Sequence, residues 1–255
     1  MNNTISRITE ILQLVARSNR PLTMADVRKQ LGLAKSSASN LINSLVELGV
    51  LELNEAEGNT IEAGLAFFEL SAKFINKNSP LSLARRSVSN LADISGCLAF
   101  FMMYNGTNLV FVERAQPPGS THIGFFPGES VPLHASAAGK AFCAAHKTED
   151  IRRLLGNEPF ERFTPHTIID YPHLLADIEQ TRARKFAMDQ EEMSLQVASI
   201  AAPVKRIDGT VAGIISLIHT PLYLSRRRMD ELGPSIHAAA LRISRMAGYT
   251  GDDIF

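Results

Sequence analysis

The sequence predicts an α+β protein: an N-terminal winged helix-turn-helix, a connecting helix, and an antiparallel sheet domain with flanking helices. Three observations predict it. Apolar residues recur at three- and four-residue steps as far as Gly49, the period of helices packed on one core. Gly32 separates two of those helices so closely that they must cross steeply. Further on, Asn105-Gly106 and Asp208-Gly209 each sit between apolar runs, the strongest short-range hairpin signal.

The elements follow in order. Ile5, Ile8, Ile11, Leu12 and Val15 form the stripe of a first helix, which ends before Ser18-Asn19-Arg20-Pro21. Thr23 is suited to cap a second helix over Met24 to Leu31 that turns Ala25, Val27 and Leu31 inward. A third helix buries Leu41, Ile42, Leu45 and Leu48 and stops at Gly49. "VLELN" and "TIEAG" then alternate as two strands around a turn at Glu57-Gly58-Asn59, the wing. Leu65, Phe68, Ala72 and Ile75 share one side of a helix ending at Asn78-Ser79-Pro80.

Beyond it, "CLAFFMMY" and "TNLVFVERA" make one hairpin, "THIGFF" a third strand, and "VASIAAPVKRI" and "TVAGIISLI" a second hairpin of central strands. Helices cover Thr148–Leu155, Pro172–Arg184 and Ser225–Met246, the last broken near Gly233-Pro234. Residues 1–64 are expected to form the winged helix-turn-helix domain, 65–80 a linker helix, and 81–255 a sensor-type sheet domain.

Composition narrows the class. The 255 residues carry 26 Lys and Arg against 26 Asp and Glu, so a strongly basic, non-specific nucleic-acid binder is excluded. The charge is uneven, however. Arg7, Arg17, Arg20, Arg28, Lys29 and Lys35 outnumber Glu10 and Asp26 up to Leu45, whereas Val46 to Glu69 holds only acids. No apolar run approaches the roughly 20 residues a bilayer requires, and "MNNTISRITE" lacks a signal-peptide core. A cytoplasmic protein with no membrane partner is expected. Cys97 and Cys143 match no metal or redox spacing, and the seven histidines form no ligand set, so no metal or cofactor is expected.

Two regions carry chemistry. The exposed start of the third helix offers Lys35, Ser36, Ser37, Ser39, Asn40 and Asn43 to base edges and phosphates, with Arg20 and Thr23 beside it. A solvated polar face is the alternative. In "GESVPLHASAAGKAF", small residues leave a helix start open to an anion. A hydrolase would use Ser136 as nucleophile and His134 or Lys140 as base, but Ser136-x-x-x-Lys140 is one residue longer than the SxxK spacing. Asp189, Ser199 and Ser216 are polar residues in otherwise apolar runs, where each needs a partner or a ligand. A protein-interaction module is the third class, to which the acidic wing lends weight.

Three blocks give the whole a resemblance. "GLAKSSASNLINSLVELGVLE", "VPLHASAAGKAF" and "DQEEMSLQVASIAAPVKRIDGTVAGIIS" resemble the recognition helix, the small-residue segment and the ligand-domain signature of the IclR family of bacterial transcription regulators. The resemblance implies a winged helix, a connecting helix and a GAF-like effector domain, assembled as homodimers or homotetramers on palindromic double-stranded DNA. It implies a small-molecule effector, typically an organic acid or an aromatic, held by Ala137 and Ala138, Asp189, Ser199 and Ser216. The chain departs from the family pattern at Ser199, often Cys; at Gln196, usually Gly; at Ile218, usually Ser; and at Asn40, often Arg. Its wing carries acids instead of bases.

Overall fold

The structure, a computed structural model, describes every residue except 1, 2, 19, 55, 57, 78, 118 and 120–123, and the backbone alone of 3, 17, 71, 73–77 and 79. The chain forms two compact units, Met1–Lys77 and Asn78–Phe255.

In the first unit, α1 (Asn3–Arg17), β1 (Leu22–Thr23), α2 (Met24–Gln30), α3 (Lys35–Glu47), β2 (Leu51–Asn54), β3 (Thr60–Ala63) and α4 (Leu65–Lys77) follow in order. Ile11, Leu22, Val27, Leu33, Ala38, Ile42, Leu45, Leu51 and Ile61 close one core. Thr23 caps α2 through a reciprocal box: its Oγ1 accepts the Asp26 N–H at 3.2 Å, and Asp26 Oδ2 accepts the Thr23 N–H at 3.0 Å. The wing gains a third strand that the sequence reading did not foresee. β1 pairs with β3, setting Leu22 opposite Ile61, and two residues are too few to show a period. Glu57 of the expected turn lies outside the described residues; Gly58 and Asn59 both take left-handed backbone.

Three expected core positions are corrected. Ala25 is exposed because α2 buries the face of Val27, and a residue two places earlier lies on the far side. Leu48 is 71% exposed because α3 ends at Glu47 and the chain turns away at Gly49. Ile5, in the first turn of α1, is 62% exposed. On α4, the foreseen apolar side is open to water at Leu65 and Phe68, and Ile75 lies outside the described side chains.

The second unit is a six-stranded antiparallel sheet in the order β6-β5-β4-β9-β8-β7. Its strands are β4 (Leu98–Tyr104), β5 (Leu109–Ala115), β6 (Ser130–Val131), β7 (Ala187–Gln190), β8 (Ala198–Lys205) and β9 (Val211–His219). Its helices are α5 (Ser79–Ser95), α6 (Ala137–Ala144), α7 (Thr148–Leu155), α8 (Tyr171–Arg184) and α9 (Arg226–Met246). Leu98, Phe100, Met102, Ile214 and Ile218 pack with α6, α7 and α8 in the main core. Strand alternation turns Ala99, Phe101, Ile215 and Leu217 to the other face, where α5 and α9 lie.

Here too the expectations need amendment. The third strand expected over "THIGFF" is absent at Gly124–Phe126, its other residues lying outside the described ones; the edge strand is β6 instead. The closing helix is not broken. Pro234 sits inside a continuous α9, and Gly233 allows close packing, since a Cβ there would lie 2.1 Å from Cε1 of Phe186. Among the described residues no helix is long and apolar enough to cross a membrane.

Candidate nucleic-acid interface and ligand cavity

α3 divides cleanly. Ala38, Ile42 and Leu45 are buried, while Ser36, Asn40 and Asn43, spaced at i, i+4 and i+7, form an exposed stripe. Lys35 is exposed beside that stripe, and Ser37 and Ser39 are half-buried on its flanks. The cap residue Ala34 makes no side-chain bond, so the first-turn amides of α3 keep the partial positive charge of a helix start. Arg20 reaches Asp26 at 3.3 Å, so the carboxylate that completes the α2 cap also holds this cation. It sits well below the usual carboxylate range because it accepts bonds from Thr23 and from Arg20. Thr23 differs from the others: its hydroxyl is engaged by Asp26 twice, as acceptor from the amide and as donor to Oδ2 at 2.8 Å.

In the second unit, Asp189, Ser199 and Ser216 meet in one cavity with Ala138. Ladder register places them: Asp189 pairs with Ser199, Ser199 with Ile218, and Ser216 with Ala201, on three adjacent strands and one face. Ser136 and Ala138, at the start of α6, close the opposite wall. Met102, Phe111, Phe125, Val131, Met193, Val197 and Ile218 supply the apolar lining. The space is about 20 Å³, room for roughly one water. Ala137 is fully buried beside it and does not line it. Gly139 is required by the close approach of the preceding loop, since a Cβ there would lie 2.2 Å from the Leu133 carbonyl oxygen.

Each polar group around the cavity already has a protein partner. Ser136 Oγ accepts the Gly139 N–H at 3.0 Å and donates to the Pro132 carbonyl at 2.7 Å. Ser216 Oγ donates to the Ile200 carbonyl at 3.0 Å, and Ser199 Oγ donates to Asp189 Oδ2 at 3.4 Å. Asp189 Oδ1 accepts the Glu192 N–H at 2.8 Å. Burial pushes the Asp189 carboxyl up to about 7, with the Glu192 charge adding to the shift and Lys140 opposing it.

Behind the cavity, Lys140 on α6 is fully buried, with Nζ 2.8 Å from Asp177 and 2.5 Å from Glu192. Burial opposes its charge, but Glu192, Asp177 and Asp189 outweigh burial and hold the ammonium protonated. The sequence reading missed this cluster, since 52 residues separate Lys140 from Glu192 and no local pattern joins them. The same bonds bear on the hydrolase candidates. Ser136 caps α6, His134 bonds the Glu161 carbonyl, and Lys140 faces two carboxylates; no bond links the hydroxyl to either base.

A winged helix and a buried polar-walled cavity on separate units of one chain point to a class, DNA-binding transcription regulators with a ligand-sensing domain. The chain matches the IclR helix-turn-helix domain over residues 4–55 and the bacterial transcriptional regulator IclR C-terminal domain over residues 73–245. It is 30% identical over 240 residues to the HTH-type transcriptional regulator BhcR of Paracoccus denitrificans, covering 94% of this chain and 85% of the relative. It is 26% identical over 244 residues to the HTH-type transcriptional repressor AllR of Escherichia coli K12, covering 96% and 90%.

Among solved structures, an IclR transcriptional regulator from Silicibacter sp. TM1040 superposes with a TM-score of 0.85 at 21% identity, covering 99% of each chain. One from Alicyclobacillus acidocaldarius gives 0.85 at 18%, covering 97% of this chain and all of the other. The chain belongs to the IclR family. It is an HTH-type transcriptional regulator with a C-terminal effector-binding domain.

Proposed function

We propose that α3 reads a palindromic operator in double-stranded DNA and that the cavity behind Asp189 holds a small organic acid whose binding alters operator affinity. The chain acts by binding, without turnover, in the cytoplasm and as a homodimer or homotetramer. On α3, Ser36, Ser39, Asn40 and Asn43 face the groove, while Lys35 and Arg20 serve phosphates, as do the first-turn amides. Ser37 and Thr23 stand at the margin of that surface, with Thr23 acting through the α2 cap. The acidic wing makes a weak phosphate partner, so the helix carries most of the recognition. In the cavity, Ala138 and its neighbour Ala137 present the start of α6, while Asp189, Ser199 and Ser216 supply the facing polar wall. Coupling between the two sites is linkage: an effector that favours one arrangement of the assembly shifts DNA affinity by the same factor that DNA shifts effector affinity.

The observation that carries this reading is the meeting of Asp189, Ser199, Ser216 and Ala138 in one cavity of a chain whose other unit is a winged helix. The test is fluorescence anisotropy of the purified protein on DNA upstream of its own gene, with random duplex as control and salt varied. Specific binding at least ~10³-fold tighter than the control, weakening with salt, is expected. Lys35→Ala and Asn40→Ala should each weaken it about tenfold or more, the loss typical of one phosphate or base contact. Wild-type affinity in both variants would remove α3 from the interface.

A further inference from the structure

Two cations stand beside the cavity, and they differ in what holds them. Lys140 is fully buried and engaged by the carboxylates of Asp177 and Glu192. Arg114, half-buried on β5, forms no ion pair among the described residues. Its Nη2 donates to the Gln116 side-chain oxygen at 2.7 Å, and its guanidinium carbon lies 5.0 Å from the centre of the Phe126 ring. Its Nε is buried and has no hydrogen-bond partner among the described residues. A buried donor left without an acceptor is rare and costly, the more so on a cation. Nε and Nη2 share the edge with which a guanidinium takes a carboxylate side-on, one N–H to each oxygen. On Arg114 a neutral amide holds one prong of that fork and the other is empty.

Strand register puts Arg114 on the cavity face of the sheet. It lies opposite Phe100 on β4, and Phe100 lies opposite Ser216 on β9, so the three stand in one row on one face. Ser216 belongs to the polar wall of the cavity. Two strand spacings, about 10 Å, separate its backbone from that of Arg114, and the arginine side chain spans much of that distance. The ground between is apolar: the Phe100 ring lies 4.7 Å from that of Phe111, which lies 5.5 Å from that of Phe125. The face therefore runs from a polar wall, over aromatic rings, to a cation. Phe125 closes the cavity and its neighbour Phe126 supports the guanidinium, so a ligand that displaces the Phe125 ring opens a path from the cavity to Arg114.

We propose that Arg114 is an anion receptor at the β5 end of this face: a ligand carboxylate takes its Nε and Nη2 edge in place of the Gln116 amide, and an apolar body over Phe100 and Phe111 carries the ligand's other end to the cavity. This rests on the cavity being the effector site. The ligand class is an acid with an apolar body of several carbons and its charge at the end away from Asp189. Lys140 takes no part, because its two carboxylates already satisfy it.

The test is calorimetry on the full chain with two matched pairs, hexanoate with hexanamide and 3-phenylpropanoate with 3-phenylpropanamide. In at least one pair the acid should bind wild type about ten- to a hundredfold tighter than the amide, the range of one charge-assisted contact. Arg114→Gln should bring the acid down to the level of the amide and leave the amide unchanged. Arg114→Lys keeps the charge without the fork and should fall between; it carries the comparison if Arg114→Gln does not fold. Val197→Phe fills the cavity from the turn after β7 and should abolish binding of both. An arginine with a structural role only would weaken acid and amide alike in Arg114→Gln, and that result overturns the proposal. Acids that bind wild type and Arg114→Gln equally well, and are lost in Val197→Phe, overturn the receptor and leave the cavity as the effector site. Acid binding that falls in Arg114→Gln but survives Val197→Phe overturns the cavity reading, and the span from Arg114 to the cavity with it. No binding by any of the four compounds overturns the proposal.

Discussion

Asp189 brings a carboxyl group into a sheet that buries nearly everything around it, and its protonation feeds back on the fold. Folding raises this group to about 7 from an ordinary value near 4, so the folded chain holds a proton that the unfolded chain has released. The sign follows: stability is full below the unfolded value and declines as pH rises through about 7. The ceiling is on the order of 4 kcal/mol, from about three pH units at 1.4 kcal/mol each. Asp189→Asn keeps an oxygen for the Glu192 N–H and removes the ionisation. Its melting temperature should exceed that of wild type at about pH 8 and change less between pH 5 and 8. A parallel dependence in both proteins would mean that another group titrates in this window. The three polar residues of the sheet wall were legible in sequence because each interrupts an apolar run. Lys140, Asp177 and Glu192 were not, because charged residues on three different elements look solvated until folding brings them together.

At the scale of elements, α6 is held by what it lacks. Gly139 lets the Leu133 loop lie against the helix, and a Cβ 2.2 Å from that carbonyl cannot be accommodated by a rotamer change. Gly139→Ala should therefore cost about 2 kcal/mol or more in denaturant melts, and it should loosen the wall that carries Ala138. A neutral result would show that the loop yields freely. Other elements show why sequence reading stops where it does. α5 escaped although Leu81, Ala84, Val88 and Leu91 keep a helical spacing, because Ser79-Pro80 reads as a terminator when it also suits a helix start. The reverse held for α9, where Gly233-Pro234 reads as a break but Gly233 is a contact with Phe186. In both cases the local signal has two meanings, and tertiary packing chooses between them.

For the whole molecule, the two units each close a core of their own. Scanning calorimetry should accordingly resolve two transitions, and a bound effector should raise only the one that belongs to residues 78–255. A single transition that moves as one on effector addition would instead indicate strong thermodynamic coupling. The helical stripe and the hairpin signals laid out the two architectures, a winged helix and an antiparallel sheet with helices. The balance of charge did not, since formal neutrality over 255 residues conceals a basic run and an acidic one.

The placement of Asp189, Ser199 and Ser216 on one face of the adjacent strands β7, β8 and β9 has a consequence for what a ligand in the cavity would move. Residues joined by ladder bonds on three adjacent strands are the least free to shift, so the sheet works as an anvil. A ligand pressed against it would displace what lies opposite, the start of α6 and the Met193–Val197 turn. The buried ammonium of Lys140 ties those two together through Glu192 and links both to α8 through Asp177. A ligand that moved this wall would therefore act on α8 through the Lys140–Asp177 pair sooner than on the strands.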